Sequence, residues 1–455
     1  MRNPFPFVLA AVLLAATASA RASTSSGADT ASLHSPEQLR QDLAVIAKTM
    51  KDSHPDISFS VVPVELDAAM RRVSRDLDHA MTRDEAWRVF STLNPILADA
   101  HTGIFFPGWR KEAQTHLAQG GVFFPHEVVV TADGEMTILS ALGGGKSPMA
   151  GARILSINGT DARTVAADLL ARVHGDTPDF RAGLLSRRFW FFYWKMHGSP
   201  ASFDLKLEAH GRKTVRVPAS HSRPIELVRR SDFEQAFRFE TLPCNGAVLA
   251  VDTFDWPDKR KFLDFTRNAF ATIKAKGVKT LIIDIRHNEG GEDDMWLQGI
   301  MPYIATRPYR WASAYKKRVM QADPAKGEKV GDVVSGLLDR WLDPDLANPL
   351  RFTGKVYVLT GTATYSSSIL FANTLREFGS AAIAGESGIV RADQSGGTRD
   401  TFLPNTGLDV GWPRFILYRP SGQRKPEFLE PDLVVADDPF HPRAAIDQLL
   451  RCSGH

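Results

Sequence analysis

The sequence predicts an α/β fold: a mostly parallel sheet with flanking helices in the C-terminal half, preceded by a helical unit and a β-rich unit. Three observations lead to this prediction. Apolar residues recur at helical spacing within residues 35–100, whereas short alternating runs and turn residues fill 120–217. From about residue 226, nearly continuous apolar runs alternate with amphipathic stretches, which is typical of parallel strands buried on both faces.

Length and composition indicate a large globular protein. The 455 residues suggest about three domains, at about 150 residues each. With 43% hydrophobic and 24% charged residues, disordered, collagenous and coiled-coil proteins are excluded. The net charge of +3 gives no basic excess, so no nucleic-acid partner is predicted. Two cysteines, Cys244 and Cys452, cannot build a disulfide scaffold or a four-thiolate zinc site, and the sequence leaves open whether they pair.

The N-terminus has the layout of a secretory signal peptide. Arg2 is followed by an Ala-rich apolar run over residues 5–20 and by two small-x-small tripeptides within 18–22. The run is shorter than the ~20 apolar residues of a membrane span, which favours cleavage over anchoring, and no other stretch is long and apolar enough to span. We expect a signal peptide at 1–22, a disordered linker at 23–34, and a periplasmic or extracellular protein without a stable membrane span.

Residues 35–115 are predicted to form the N-terminal helical unit. Ser35 and Gln38 have the spacing of a capping box, and Pro36 suits a first helical position. Thr82 is a second candidate N-cap. Helices are therefore expected from residue 36, over about 64–80 and over about 83–97.

Residues 116–225 are predicted to form the β-rich unit. Short strands are expected at 122–124, 127–130, 136–139, 152–157 and within 202–217. Residues 151–159 read G-A-R-I-L-S-I-N-G, which resembles the "G-x-x-I-x-x-I-N-G" core of a PDZ-like module. The alternative is another small β-rich insert.

Residues 226–455 are predicted to form the α/β core. Buried strands are expected at 246–251, 280–285 and 356–359, with an amphipathic helix over 259–276. Residues 315–350 are a charged insert whose structure the sequence leaves open.

Three short stretches carry candidate chemistry. Residues 97–103 read L-A-D-A-H-T-G, residues 283–291 read I-D-I-R-H-N-E-G-G, and residues 358–368 read V-L-T-G-T-A-T-Y-S-S-S. The third predicts a strand, a turn and a helix start, where a serine hydroxyl can stand beside free backbone N–H groups. The second ends a strand in two glycines, whose N–H groups can approach a substrate closely. The alternatives are an ordinary N-cap and a plain tight turn.

Taken together, these stretches resemble the tail-specific (carboxyl-terminal processing) serine peptidase family. Its "D-x-R-x-N-x-G-G" appears at 284–291, and its "T-x-S-S/A" with the later "G-x-x-x-x-x-G-E" appears within 364–386. Its "P-D-x-x-V" appears at 431–435 and its "L-x-D-x-H-T" at 97–102. The resemblance covers roughly residues 35–440 and implies a helical unit, a PDZ-like unit and an α/β protease core.

The resemblance also implies roles for single residues. The nucleophile falls on Ser366, counted back from the Gly-Glu pair, with Ser367 and Ser368 as alternatives. The oxyanion hole would use the backbone N–H groups of Gly291 and Ser367.

The general base distinguishes two branches of the family. Many members use a lysine at the position of Arg391, and a guanidinium cannot serve as a base. The branch of tricorn-like proteases and interphotoreceptor-retinoid-binding-protein-like domains uses a histidine, which maps onto His101. That branch has a serine where this chain has Ala100, and a C-terminal carboxylate, for which Glu427 and Glu430 are the candidates.

Two alternatives concern the histidines. His287, beside the two glycines, is a rival base, and its other interpretation is a solvent-facing turn residue. The alternative for His101 is a core histidine that ties the helical unit to the sheet. Asp99 could cap or orient His101, or equally be a solvated surface residue. No His-x-x-x-His or paired-cysteine spacing indicates a metal, and no cofactor is expected.

The sequence therefore predicts an exported serine endopeptidase in which Ser366 attacks and His101 carries the proton. Its partner is a peptide or protein substrate, whose C-terminal end a PDZ-like unit is able to bind by strand addition. The alternative is a peptide- or ligand-binding protein that keeps the fold without turnover, since the lysine is missing and Ala100 departs from the pattern. An α/β esterase would need a Gly-x-Ser-x-Gly elbow, which the candidate serine stretch lacks. The oligomeric state is not predicted.

Overall fold

The structure is a computed structural model of the chain, and it describes residues 32–209 and 211–450. The expected signal peptide, 1–22, and all but the end of the expected linker, 23–34, lie outside the described residues. At the end of that linker, the His34 backbone pairs with Met81. Among the described helices, none combines the length and the apolar character that a membrane span needs.

The described helices and strands are numbered in chain order. The α-helices α1 to α14 are Pro36–Ser53, Pro63–Asp76, Arg83–Phe90, Asn94–Leu97, Trp109–Ala118, Ala162–Leu170, Pro178–His197, Ile225–Arg229, Phe233–Ala236, Lys259–Ala275, Asp293–Gly299, Met301–Ile304, Ser367–Glu377 and Ala444–Leu449. The strands β1 to β19 are Gly103–Phe105, His126–Val130, Met136–Ala141, Arg153–Ile157, Thr160–Asp161, Ser202–Glu208, Arg212–Pro218, Phe237–Leu242, Gly246–Val251, Thr280–Asp284, Ala314–Arg318, Val333–Leu337, Lys355–Leu359, Ala382–Gly385, Gln394–Gly396, Arg399–Phe402, Asp409–Trp412, Phe415–Tyr418 and Leu433–Val434.

The first helices begin where their caps predict. Ser35 and Gln38 form a complete capping box at α1, and Thr82 and Glu85 form another at α3. The third expected helix is broken into α3, a 3₁₀ turn and α4, whose second residue is a proline that cannot donate a helical hydrogen bond. α4 ends at Ala98, which has a left-handed backbone with φ of 46°. This sharp exit directs the following Asp99–His101 segment away from the helix axis.

The middle of the chain folds as an antiparallel sheet in the order β2-β3-β4-β6-β7. The expected strand at 122–124 is reduced to one bridge between Phe123 and Ser220. The 20-residue α7 was not predicted from the sequence, although Thr177 caps it and a proline opens it. Its aromatic run packs into the core, so it lacks the polar face that marks a surface helix.

The core sheet has the order β19-β14-β13-β10-β9-β8. Four of its pairings are parallel and the pairing of β8 with β9 is antiparallel, so the sheet is mixed. Leu281 and Ile283 of β10 pack into one apolar cluster, and Ile282 packs into a second cluster on the opposite face. Burial of both faces explains the nearly continuous apolar run of this strand.

Two further sheets bring distant segments to the core. β11 and β12, from the charged insert, pair as a hairpin that joins β18 and β15. β1 pairs with β17, with Gly103 opposite Gly411. These pairings carry the segment around His101 and strand β15 to the same place. Elsewhere, Cys244 is disulfide-bonded, and the other cysteine, Cys452, lies outside the described residues.

Candidate active site

Ser366 stands at the corner between β13 and α13. It is the N-cap of α13, with φ of 57° and ψ of −127°, a conformation that non-glycine residues rarely adopt. The Ser366 N–H donates to Oε1 of Gln394 at 2.9 Å, and its carbonyl oxygen accepts from the Ile369 N–H at 2.8 Å. The strained corner is thus held from both sides, which fixes the direction of the hydroxyl.

The two neighbouring serines have other positions. Ser367 is 2% exposed, and its Oγ lies 2.5 Å from Asp293 Oδ1. Ser368 is fully buried, and its Oγ has no hydrogen-bond partner in the described part of the chain. Ser366 is half-buried, and of the three its hydroxyl alone contacts His101 among the described residues.

His101 and Ser366 meet across 265 positions of sequence, with Nε2 3.0 Å from Oγ. The segment is shaped locally by Asp99, whose Oδ1 accepts from the His101 N–H at 2.7 Å and whose carbonyl accepts from the Thr102 N–H at 3.2 Å. Strand β1 follows directly and is fixed to β17. The imidazole is therefore placed by backbone contacts on both sides.

A hydroxyl joins the imidazole to a buried carboxylate. Ser395 Oγ lies 2.8 Å from His101 Nδ1 and 2.9 Å from Asp99 Oδ1. Because an ionised carboxylate only accepts, Ser395 donates to Asp99 and accepts the Nδ1 proton of His101. Nε2 is then unprotonated and accepts the hydroxyl proton of Ser366. This is the tautomer that a general base requires.

Burial sets the protonation of His101. Desolvation lowers the pKa of His101 below 6.5, and the charge of Asp99 opposes that effect. The neutral imidazole, which can accept a proton, is therefore the favoured form near neutral pH.

Tyr365 extends the network behind Asp99. Its hydroxyl lies 3.2 Å from Asp99 Oδ1 and 2.9 Å from Asp176 Oδ1. Burial, with the nearby charge of Asp99, raises the pKa of Asp176 to about 6. Burial and both carboxylates raise the pKa of Tyr365 well above 10, so the phenol keeps the proton that it donates.

Backbone N–H groups border Ser366. Gly290 and Gly291 have φ of 99° and 136°. The Gly290 N–H donates to Asn288 Oδ1 at 2.9 Å, whereas those of Gly291 and Ser367 have no acceptor within the described part of the chain. A Cβ on Gly290 would lie 2.7 Å from Cβ of Ser366 and 3.0 Å from the Ser367 nitrogen, so the loop is pressed against Ser366. The two free N–H groups suit an oxyanion.

The structure does not bring Glu427 or Glu430 to His101. Glu427 is exposed, and its carboxylate lies 3.9 Å from both Arg391 and Lys425. Glu430 is exposed, and its carbonyl accepts from Arg376. Their expected place behind the imidazole is occupied by Ser395 and Asp99. Sequence reasoning had considered Asp99 but missed Ser395, because nothing local distinguishes that serine from any other beside glycines.

The rival bases lie elsewhere. His287 has no described hydrogen bond to Ser366, and burial together with neighbouring arginines holds its pKa well below 6.5. Arg391 donates to the Ala98 carbonyl at 2.6 Å, and its backbone N–H donates to Asp176 at 2.9 Å. Arg391 therefore fastens the start of the His101 segment. In the described ranges, no group of three or more His, Cys, Asp or Glu side chains could hold a metal ion.

Comparisons with known proteins concern the family and the fold. Residues 246–435 match the model of peptidase family S41, and no curated protein matches the chain. The crystal structure of mature CPAF superposes with a TM-score of 0.66 at 13% identity, over 92% of this chain and 99% of that one. Mature CPAF complexed with lactacystin gives 0.66 at 13%, over 91% and 97%. The photosystem II D1 C-terminal processing protease gives 0.48 at 14%, over 91% and 96%.

At such identities, the likeness to CPAF shows the fold, and that fold extends over nine-tenths of the chain. The family model covers the motifs at 284–291, 364–386 and 431–435, which lie on the α/β core with Ser366 and the two glycines, but not the motif at 97–102. Residues 246–435 of this chain are thus similar to peptidase family S41.

Proposed function

We propose that the protein is an exported serine endopeptidase in which Ser366 is the nucleophile and His101 the general base. The observation that carries the proposal is the 3.0 Å contact between His101 Nε2 and Ser366 Oγ. Two free N–H groups beside the nucleophile support the same chemistry.

In the proposed acylation, Ser366 Oγ attacks the scissile carbonyl carbon while its proton passes to His101 Nε2. The N–H groups of Gly291 and Ser367 stabilise the oxyanion. His101 then gives the proton to the leaving amine as the C–N bond breaks, and the first product departs.

In the proposed deacylation, water attacks the acyl ester and gives a proton to His101. The Ser366 Oγ–acyl bond breaks, Ser366 regains its proton, and the carboxylic acid product leaves. Ser395 and Asp99 stabilise the imidazolium that forms in both halves, since they accept from Nδ1 through one hydroxyl.

Substrate recognition is proposed to involve the antiparallel sheet. We assign residues 35–115 to a helical unit, 116–225 to a PDZ-like unit and 226–455 to the protease core. The outer strand β7 pairs only with β6 among the described strands, which leaves one edge for an added peptide strand. If the PDZ-like unit recognises the C-terminus of a peptide, peptides that share a C-terminus but differ upstream should compete for binding to it.

A noncatalytic binding protein is the competing class. A protein that only binds peptides would not need an imidazole whose Nε2 can accept a proton. It would also not need a strained serine beside that imidazole, or two free N–H groups beside the serine. These features favour turnover, and they answer the doubt raised by Arg391 and Ala100, because Ser395 supplies the hydroxyl that Ala100 cannot.

The test compares wild type with Ser366→Ala and with Ser368→Ala as the matched control, on peptides of varied C-terminus. Ser366→Ala should lose at least about a thousandfold in kcat and all labelling by a fluorophosphonate probe. Ser368→Ala should retain both, because its hydroxyl is buried and contacts no catalytic group. Unlabelled, inactive wild type would favour the binding protein.

Export is tested by N-terminal sequencing of exported protein, which should begin near residue 21 or 23.

A further inference from the structure

The Ser367 side chain connects the two segments that supply the oxyanion donors. Its Oγ lies 2.5 Å from Asp293 Oδ1 and 2.9 Å from Trp296 Nε1. An indole N–H can only donate, so the hydroxyl accepts from Trp296 and donates to the Asp293 carboxylate. Both bonds are made by the hydroxyl at once, which fixes its rotation.

The hydrogen bond between Asp293 and Ser367 joins two segments that are far apart in the sequence. Asp293 opens α11 two residues after Gly291, and Ser367 opens α13 directly after Ser366. The Asp293–Ser367 bond therefore ties the glycine segment to the nucleophile helix. Trp296 of α11 also packs against Phe371 of α13, with ring centroids 5.6 Å apart.

This tether adds a side-chain contact to a glycine segment that is otherwise held through its backbone. Gly290 and Gly291 have no side chains to anchor them, and their positive φ values are conformations that glycine adopts without strain. The Gly290 carbonyl accepts from the Phe254 N–H, and the Glu292 N–H donates to the Phe254 carbonyl, so Phe254 holds the segment on both sides of Gly291. The Gly290 N–H donates to Asn288 Oδ1, whereas the Gly291 N–H has no described partner. Asp293 is the first side chain after the glycines that bonds to the nucleophile helix.

Burial makes this tether costly to break. Trp296 is fully buried and Ser367 nearly so, which leaves their polar groups without bulk water when a bond is lost, whereas Asp293 is half-buried. Burial and the adjacent Glu292 and Asp294 raise the pKa of Asp293 to about 6, while its bond to Ser367 opposes the shift.

We propose that Asp293 and the Ser367 hydroxyl are positioning groups of the oxyanion hole: their bond holds the Gly291 and Ser367 N–H groups at the spacing that the tetrahedral intermediate requires. This role rests on the proposed peptidase function. The side chains of Ser367 and Asp293 do not touch the substrate in this proposal, but they affect the transition state by positioning the two N–H groups.

The expected kinetic signature follows from where the donors act. Oxyanion bonds strengthen in the transition state, so a misplaced hole lowers kcat and leaves KM nearly unchanged. Loss of one oxyanion donor typically costs 10²–10³ in kcat, and a displaced donor should cost about tenfold to a hundredfold.

The experiment compares Ser367→Ala and Asp293→Ala with two matched variants, at pH 8, where Asp293 is ionised. Ser368→Ala removes a neighbouring hydroxyl that has no described partner. Asp293→Asn keeps an oxygen that can accept from Ser367. We expect kcat to fall about tenfold to a hundredfold in the first two variants, with KM within about twofold. Affinity for a peptide aldehyde, whose adduct carries the oxyanion, should fall by the same factor.

The two controls should keep kcat within about threefold of wild type. Equal losses in Ser367→Ala and Ser368→Ala, a loss confined to KM, or unchanged aldehyde affinity would overturn the proposal. Thermal melting identifies misfolded variants, and if Asp293→Ala fails to fold, Ser367→Ala against Ser368→Ala decides. Ser366→Ala distinguishes failure of the peptidase mechanism from failure of the tether. If Ser366→Ala keeps the turnover of wild type, the peptidase mechanism is refuted. If Ser366→Ala loses turnover while Ser367→Ala keeps it, only the tether is refuted.

Discussion

The Ser395 hydroxyl lies 2.8 Å from His101 Nδ1, where a carboxylate contacts the histidine in a serine–histidine–aspartate triad. Asp99 bonds to Ser395 and not directly to the imidazole, and its Oδ1 is 3.9 Å from the same ring nitrogen. A neutral hydroxyl thus carries the hydrogen bond while the charge acts from a greater distance. This division allows orientation and charge to be tested separately.

Replacing Asp99 should be more harmful than replacing Ser395. Asp99→Asn removes the charge that stabilises the imidazolium and changes the acceptor of the Ser395 proton, so kcat/KM should fall about a hundredfold. In Ser395→Ala, a small rotation can close the 3.9 Å gap between Nδ1 and Asp99, and the loss should be about tenfold. Peptide hydrolysis and thermal melting measure both. An Asp99→Asn enzyme as active as wild type would contradict the relay.

The pH dependence should follow His101. Burial lowers its pKa, and a base works only when unprotonated, so activity should rise with pH through a midpoint below 6.5. Asp99 raises that pKa, and Asp99→Asn should therefore move the midpoint further down. The measurement is kcat/KM against pH over the range in which the fold is stable.

A control separates His101 from Asp176, whose pKa is raised to about 6. Asp176 bonds Tyr365 and the Arg391 backbone, not the imidazole. The rise of kcat/KM with pH at acidic pH, the acid limb of the profile, should therefore persist in Asp176→Asn. Disappearance of that limb in Asp176→Asn would assign it to the carboxyl group and not to His101.

Local patterns predicted much of the structure. Ser35 and Thr82 cap helices through contacts three residues away, and the β10 run is apolar because both faces are buried. Such signals lie within a few residues and are visible in the sequence. The pairing of Ser366 with His101 was expected only because the motifs resemble a family whose chemistry needs both.

The rest depends on distant contacts. Ser395 reaches His101 from 294 positions away, through the pairing of β15 with β18, and no sequence spacing encodes that pairing. Glu427 has the right chemical group in the right region, yet its backbone carbonyl accepts from the Ala392 N–H and its carboxylate lies at the surface. The aromatic run of α7 shows no polar face, so helical periodicity did not reveal it.

Arg391 should behave as a fastener and not as a base. Arg391→Ala removes the bond to the Ala98 carbonyl, so the His101 segment should loosen, with a lower melting temperature and a partial loss of kcat of about tenfold. The midpoint of the acid limb should stay below 6.5, and fluorophosphonate labelling should persist. If Arg391→Ala abolishes turnover while folding and peptide binding survive, His101 is not the base.

Gly290 should tolerate no side chain. Its φ of 99° strains any other residue, and an added Cβ would lie 2.7 Å from Cβ of Ser366 and 2.9 Å from the Tyr365 carbonyl oxygen. Those neighbours belong to the nucleophile corner, which is itself strained, so the clash would move Ser366 or the oxyanion donors. Gly290→Ala should lower kcat by at least about a hundredfold, since both donors and the nucleophile adjoin this position.

The matched control for this variant is Gly331→Ala. Gly331 has a similar φ of 92°, but a Cβ there would meet no atom within 4 Å. It therefore reports the backbone strain alone, which should cost about 1 kcal/mol of stability and leave kcat unchanged. Kinetics and melting of both variants, side by side, measure the two effects. Comparable kcat values in Gly290→Ala and wild type would mean that the glycine segment does not form the oxyanion hole.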